Sequence, residues 1–387
     1  CFGRSALMLS GGGVLGFLHL GVVTELLRQG LLPRVISGSS AGSIVAAALA
    51  AYTDEEMTSL DLIGLMESGG ADAQGLIRQW LSAAGSRFTA NDVEKLIEAT
   101  IPDLTFGEAY AKTGRQVSIT VAPAEPHQRS RLLNAVSSPN VFLRSAAMAS
   151  CAIPGVFPAV MLKAKNERGE AQPYLPARRW VDGSVADDLP AKRLSRLFST
   201  NHYIVSMVNP IARAFLPRDD KTRPLRQAAT SLGVGIGREM LNFYRGVAKK
   251  YGENWPKFNM MMHGVHALLD QEYSGDINIV PRFRMQNPLN IISQPSEEEL
   301  RLLVKEGERA TYSRLESVRR CTQISRTLEE ILHRFEYGDL RPAPGTYRRP
   351  KSSRRRPPPT ASQLKTLKAE SPAKSRKASK PRASKAA

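Results

Sequence analysis

The chain has 387 residues, 42% of them hydrophobic and 23% charged, enough to bury one large or two ordinary cores. That composition excludes a collagen, a wholly disordered chain and a disulfide scaffold; three cysteines without C-x-x-C spacing (Cys1, Cys151, Cys321) argue against a thiolate zinc site and fit a reducing compartment. The net charge of +18 suggests a nucleic-acid binder until it is mapped: residues 341–387 hold 15 Lys and Arg against Glu370 alone, which leaves residues 1–340 with 39 basic and 35 acidic side chains.

In chain order, Ala6-Leu7-Met8-Leu9 reads as a buried strand running into Ser10-Gly11-Gly12-Gly13, followed by a helix from about Leu15 to Arg28. Val35-Ile36-Ser37 is a second strand that turns through Gly38-Ser39-Ser40-Ala41-Gly42 into the Ala-rich helix Ile44–Tyr52. Strand, helix, strand, helix points to an α/β domain with a parallel sheet. Ser5–Thr24 and Val35–Thr53 carry no charge and are long enough for membrane spans, but their Gly and Ser clusters favour buried strand, turn and helix. Thr53-x-x-Glu56, Thr89-x-x-Asp92 and Ser296-x-x-Glu299 are capping signatures. Val117, Ile119 and Val121 alternate as a strand, Leu143–Ala152 is a small-residue helix, Trp180-Val181 leads into Asp182-Gly183, and Tyr203–Val208 is a further buried strand. After Pro210 the pattern turns mostly helical, with Leu315, Val318, Cys321, Ile324, Leu328, Ile331 and Phe335 on one stripe. We therefore expect an α/β domain over 5–210, a mostly helical extension packed on it over 211–338, and a disordered basic tail over 339–387.

Gly38–Gly42 has the form G-x-S-x-G, which places Ser40 on a sharp strand-to-helix turn with the amides of the next helix aimed at it. The pentapeptide alone is common, and a Ser/Gly turn that happens to match is the plain alternative. Gly11–Gly16 also fits the dinucleotide signature G-x-G-x-x-G, but that signature wants an acid at the end of the second strand, where Ser37-Gly38 stand. Three consecutive glycines beside an elbow serve better as an oxyanion hole, each donor being worth roughly 3–4 kcal/mol in the transition state. A serine nucleophile needs a base. None of His19, His127, His202, His263, His266 and His333 lies in a late Gly-flanked loop, and His19 and His202 read as structural. Asp182, at a strand end before Gly183-Ser184, is the better candidate, with a turn-capping role as its alternative.

Gly11–Gly16, the Gly38–Gly42 elbow, Ala149–Pro158 in the form Ala-Ser-x-Ala-x-Pro-x-x-Phe, and Asp182-Gly183-Ser184 together resemble the patatin-like phospholipase family. Segments around His19–Val23, Leu32–Gly42, Asn201–Pro210, Tyr273–Ile279 and Gly307–Thr311 resemble its triacylglycerol-lipase branch and extend the likeness to about residues 6–335. The resemblance implies a three-layer sandwich with a mostly parallel central sheet, Ser40 as nucleophile and Asp182 as general base. It further implies no catalytic histidine, an oxyanion hole from the amides of Gly11, Gly12 and Gly13, and Gly16, Gly38, Gly42, Gly183 and Ser184 as motif positions. No cofactor and no metal are implied. That branch usually carries a further region ahead of the glycine loop, so an upstream segment is expected before Cys1.

Three positions depart from the pattern: Leu15 stands where many relatives have a basic residue, Ser184 replaces the more usual Gly or Ala, and His266-x-x-x-Asp270 falls one residue short of an acyltransferase motif. The expected activity is acyl-ester hydrolysis on glycerolipids in the cytoplasm, with peripheral contact to a membrane or lipid surface. A non-catalytic lipid- or membrane-binding protein and an acyltransferase on the same fold are the alternatives. Leu232–Val247 and Met260-Met261-Met262 could lie on a bilayer or cover an acyl tunnel, though core packing explains them equally well. The tail has the charge to hold anionic lipid, and it lacks aromatic residues after Tyr347, which speaks against nucleic-acid stacking.

Overall fold

A computed structural model describes residues 4–59, 89–125, 128–154, 156–208, 275–281 and 296–338. The chain forms two compact units, residues 1–330 and 331–387, and the fold below is that of the first. Leu232–Val247, Met260–Met262, His266, Asp270 and the tail from 339 lie outside the described residues.

Strand β1 (Arg4–Leu9) is followed by a 3-10 turn at Gly13–Phe17 and helix α1 (Leu18–Arg28), then by β2 (Val35–Gly38) and α2 (Ala41–Ala51). The sequence predicts one helix from Leu15. The chain instead turns tightly there, because the Leu15 amide bonds back three residues to the Gly12 carbonyl and Gly16 is pressed against Ala41. Helix α3 (Asp54–Ser59), α4 (Ala90–Thr100) and α5 (Phe106–Thr113) precede β3 (Gln116–Pro123) and β4 (Arg131–Asn134). Then come α6 (Leu143–Ser150), the hairpin β5 (Lys163–Lys165) and β6 (Ala171–Pro173), β7 (Trp180–Asp182), α7 (Ser184–Asp187), α8 (Ala191–Phe198) and β8 (Thr200–Ser206). Strand β9 (Ile277–Ile279) and helices α9 (Glu297–Tyr312) and α10 (Leu315–Gly338) complete the described elements. The Thr89 and Ser296 boxes form as the spacing predicts, and Thr53 and Glu56 bond each other's amides.

The main sheet runs β4-β3-β2-β1-β8-β9, parallel except for β4 and β7, which run antiparallel to β3. Period-2 alternation sends Leu7, Leu9, Ile36, Ile119 and Val121 to the face covered by α1, α2 and α6, and Ala6, Met8, Val35 and Val205 to the face covered by α8. Helices on both faces make the three layers. The charge-free stretches at 5–24 and 35–53 are thus strand, turn and helix, and among the described residues no helix is long and apolar enough to cross a membrane.

Elements beyond residue 210 belong to the same compact unit. Strand β9 pairs with β8, and α9 crosses α1 at two glycines: a Cβ on Gly21 would lie 2.0 Å from the Val304 carbonyl oxygen, and one on Gly307 2.2 Å from that of Leu18. Of the apolar stripe on α10, Leu315 and Val318 are buried, whereas Ile324 and Leu328 are exposed.

The placing of β7 positions the site. Val121 pairs with Arg131 of β4 on one edge, so its other partner, Asp182, lies on the opposite edge. That edge is occupied by β2 only as far as Gly38, opposite Ile119. Strand β2 leaves its lane at the elbow, and β7 enters the vacated lane from the other direction and ends at Asp182.

Candidate active site

Ser40 sits two residues after the end of β2 and immediately before α2 with φ 49° and ψ −126°, a positive-φ conformation that costs a non-glycine residue on the order of 1–3 kcal/mol. Backbone bonds hold it there. Its amide donates to Ser150 Oγ at 2.9 Å, and that hydroxyl donates to the Thr120 carbonyl at 2.7 Å. Its carbonyl accepts from the Ser43 amide at 2.9 Å, the Ser43 hydroxyl at 2.6 Å and the Cys151 thiol at 3.3 Å. The elbow is too tight for side chains at its ends: a Cβ on Gly38 would lie 2.3 Å from the Gly42 carbonyl oxygen, and one on Gly42 2.4 Å from that of Leu9.

Asp182 is buried, and its amide donates to the Ala152 carbonyl at 2.9 Å. The segment Ser150–Ala152 therefore brackets both residues, one end on Ser40 and the other on Asp182. The Ser40 side chain lies near enough to the Asp182 carboxylate to act on its charge. The Ser184 amide donates to Asp182 Oδ1 at 2.8 Å, and the Ser184 side chain also lies near the carboxylate. Burial raises the Asp182 pKa from 3.8 to about 6, against the neighbouring Ser40 and Ser184 groups that hold it down. An ordinary aspartate is a weak base for a serine; burial makes this one stronger. The serine at 184, unusual in the pattern, adds a hydroxyl near the carboxylate.

The glycine loop lies directly over the elbow: a Cβ on Gly11 would meet Ser184 Cβ at 3.0 Å and Ser40 Cβ at 3.1 Å. Of the three expected oxyanion donors, Gly11 is already occupied, its amide donating to Asp188 Oδ1 at 2.7 Å. Among the described residues the amides of Gly12 and Gly13 have no partner. Leu15 is packed in the core and supplies no charge to the loop.

Of the six histidines, the side chains of His19 and His202 are described. His19 is fully buried, and burial lowers its pKa to about 4, so the ring is neutral. A carbonyl can only accept, so Nε2 donates to Ser10 O at 2.9 Å, and Nδ1 accepts from the Ser206 hydroxyl at 2.7 Å. Both nitrogens are committed to joining the ends of β1 and β8. His202 pairs with Ser5 at the start of those strands, the opposite end of the sheet from Ser40.

Asp188, Ser39 and Ser43 belong to this site and are not among the candidates read from the sequence. Nothing in the sequence pattern ahead of Leu189-Pro190 marks Asp188 as buried. Cys151 is no second nucleophile: burial foremost, with the nearby Asp182 charge, pushes its thiol far up and keeps it protonated.

The sequence model of the patatin-like phospholipase family matches residues 7–195, which span the glycine loop, the elbow and Asp182. Over this stretch the chain belongs to the patatin-like phospholipase family. The chain is similar to triacylglycerol lipase SDP1L of Arabidopsis thaliana, with 33% identity over 86% of this chain and 42% of that protein. It is similar also to triacylglycerol lipase 4 of Saccharomyces cerevisiae, with 36% identity over 81% of this chain and 36% of that one. The chain thus spans less than half the length of either relative. Among solved structures it resembles VipD from Legionella pneumophila at 17% identity and a TM-score of 0.39, over 81% of this chain and 67% of that one.

Proposed function

We propose that this patatin-like protein is a serine acyl-ester hydrolase of glycerolipids, with Ser40 and Asp182 as a catalytic dyad. The observation that carries this reading is a strained Ser40 elbow beneath a glycine loop, bracketed through Ser150–Ala152 with a buried carboxylate whose pKa is raised to about 6. The two triacylglycerol lipases to which the chain is similar support a lipid ester as the substrate class.

In this reaction Asp182 takes the proton of Ser40 as Oγ attacks the ester carbonyl. The tetrahedral oxyanion is held by the amides of Gly12 and Gly13, with the Gly11 amide kept by Asp188. The N-terminus of α2 adds a favourable field at the same place. Collapse expels the alcohol, which leaves with the proton from Asp182, and forms the acyl-Ser40 ester. Water then gives its proton to Asp182 and attacks that ester, and the acid is released as Ser40 recovers its proton. Such a lipase works at a lipid surface, and the basic tail is suited to holding anionic headgroups there.

The test is release of fatty acid from dispersed triacylglycerol and from phosphatidylcholine vesicles, wild type against Ser40→Ala. Ser40-dependent release from either lipid supports the reading. No release from any ester by folded protein contradicts it.

A further inference from the structure

Asp188 is an acid that the chemistry above does not use, yet it is buried at the turn between α7 and α8, 1% exposed. Burying a carboxylate is costly unless donors satisfy it, and two arrive on the same oxygen: Oδ1 accepts the Gly11 amide at 2.7 Å and the Ser39 hydroxyl. These donors occupy corresponding places. Gly11 immediately precedes the two unpartnered amides of the glycine loop, and Ser39 immediately precedes the nucleophile. The backbone link between the two segments, from the Ser39 amide to the Leu9 carbonyl at 3.2 Å, attaches to the strand before the loop. On its far side the loop has little room to retreat, since a Cβ on Gly12 would come within 2.6 Å of the Val208 side chain.

We propose that Asp188 is a positioning residue whose Oδ1, by gripping Gly11 and Ser39 together, sets the glycine loop in register with the elbow so that the Gly12 and Gly13 amides face the oxyanion formed at Ser40. This rests on Ser40 being the nucleophile. Occupation of the Gly11 amide is then part of the device: one of three loop donors is spent on alignment, and two are left for the reaction. Asparagine at 188 keeps an acceptor oxygen for both donors, whereas alanine removes it.

The experiment compares kcat and KM of the full 387-residue chain for p-nitrophenyl butyrate and for its thionoester, with thermal unfolding of each variant. Sulfur is a poor hydrogen-bond acceptor, so a working oxyanion hole favours the oxygen ester, and the ratio of the two rates reports the hole itself. We expect Asp188→Ala to lower kcat for the oxygen ester at least about tenfold, with KM within about threefold and the oxygen-to-sulfur ratio falling in step. We expect Asp188→Asn to recover to within about threefold of wild type. Should Asp188→Ala not fold, Ser39→Ala removes one of the two donors from the same oxygen and is expected to lower the ratio by a smaller factor.

A folded Asp188→Ala with wild-type kcat overturns the proposal. So does a fall in kcat with an unchanged oxygen-to-sulfur ratio, which would make Asp188 structural only. Failure of the underlying reading looks different: Ser40→Ala would keep turning over the ester whatever stands at 188.

Discussion

Ser40 and Asp182 follow and end two strands that are not paired with each other, each being paired with β3, and the Ser150–Ala152 segment bonds to both residues. Gly38 faces Ile119, and two residues further along the same edge Asp182 faces Val121. Nucleophile and acid thus meet where one strand vacates a lane and another ends in it. The register of β3 fixes their separation, and no flexible loop has to bring them together.

Asp182 should govern the pH dependence of the reaction. As a base it acts deprotonated, so kcat/KM for a soluble ester is expected to rise with pH through about 6 and level off above. Ser184→Ala removes a hydroxyl near the charged form, which raises the Asp182 pKa and moves the rising limb to higher pH. A limb that stays in place in Ser184→Ala would show that another group titrates.

The same shift makes the dyad acid a burden on stability. The folded protein binds the Asp182 proton more tightly than the unfolded chain, so this group's contribution is full below about pH 4 and lost as pH rises through about 6. At pH 7.5 a shift of this size costs roughly 2–3 kcal/mol. Asp182→Asn is expected to be inactive yet to melt higher than wild type at pH 7.5, the gap closing by pH 4. His19 runs the other way: its pKa falls from 6.5 to about 4, so its contribution is present above 6.5 and lost as pH falls toward 4. The two oppose each other between pH 4 and 6, and Asp182→Asn should unmask a loss of stability on acidification. Thermal midpoints at a series of pH values check both signs.

Ser150 holds two buried backbone groups at once, the Ser40 amide and the Thr120 carbonyl. Ser150→Ala leaves both without that partner, at a cost of about 2–4 kcal/mol. It also frees the strained residue, so kcat is expected to fall more than KM changes. Denaturant unfolding together with ester kinetics tests this, and wild-type values in both would contradict it.

Much of the fold was legible in the residues. The strand-and-turn segments at both ends of the glycine loop and the three Thr or Ser capping signatures are local patterns, and they form where the spacing puts them. The elbow at Ser40 and the strand end at Asp182 were legible for a related reason, since each writes a glycine close beside it. Strand β4 and the β5–β6 hairpin were not, because three or four residues are too few to show an alternation. Asp188 was hidden by its type: an acid is expected outside, and only the folded chain brings Gly11 and Ser39 to it. The crossing of α1 and α9 escaped notice too, as Gly21 and Gly307 lie far apart in sequence and neither marks a turn.

That crossing gives a separate prediction. A methyl group at Gly21 or Gly307 would run into backbone carbonyls, which cannot rotate away, so the helices would have to move apart. Gly21→Ala and Gly307→Ala are each expected to destabilise by about 1–3 kcal/mol. A thermal midpoint unchanged in both would mean that the two helices do not pack this closely.

The most direct measurement is labelling with a fluorophosphonate ester, with the adduct located by mass spectrometry in wild type, Ser40→Ala and Asp182→Ala. An adduct on Ser40 that disappears in Ser40→Ala and forms far more slowly in folded Asp182→Ala is the expected result. An adduct on another residue, or labelling of Ser40 at an undiminished rate without Asp182, would contradict the dyad.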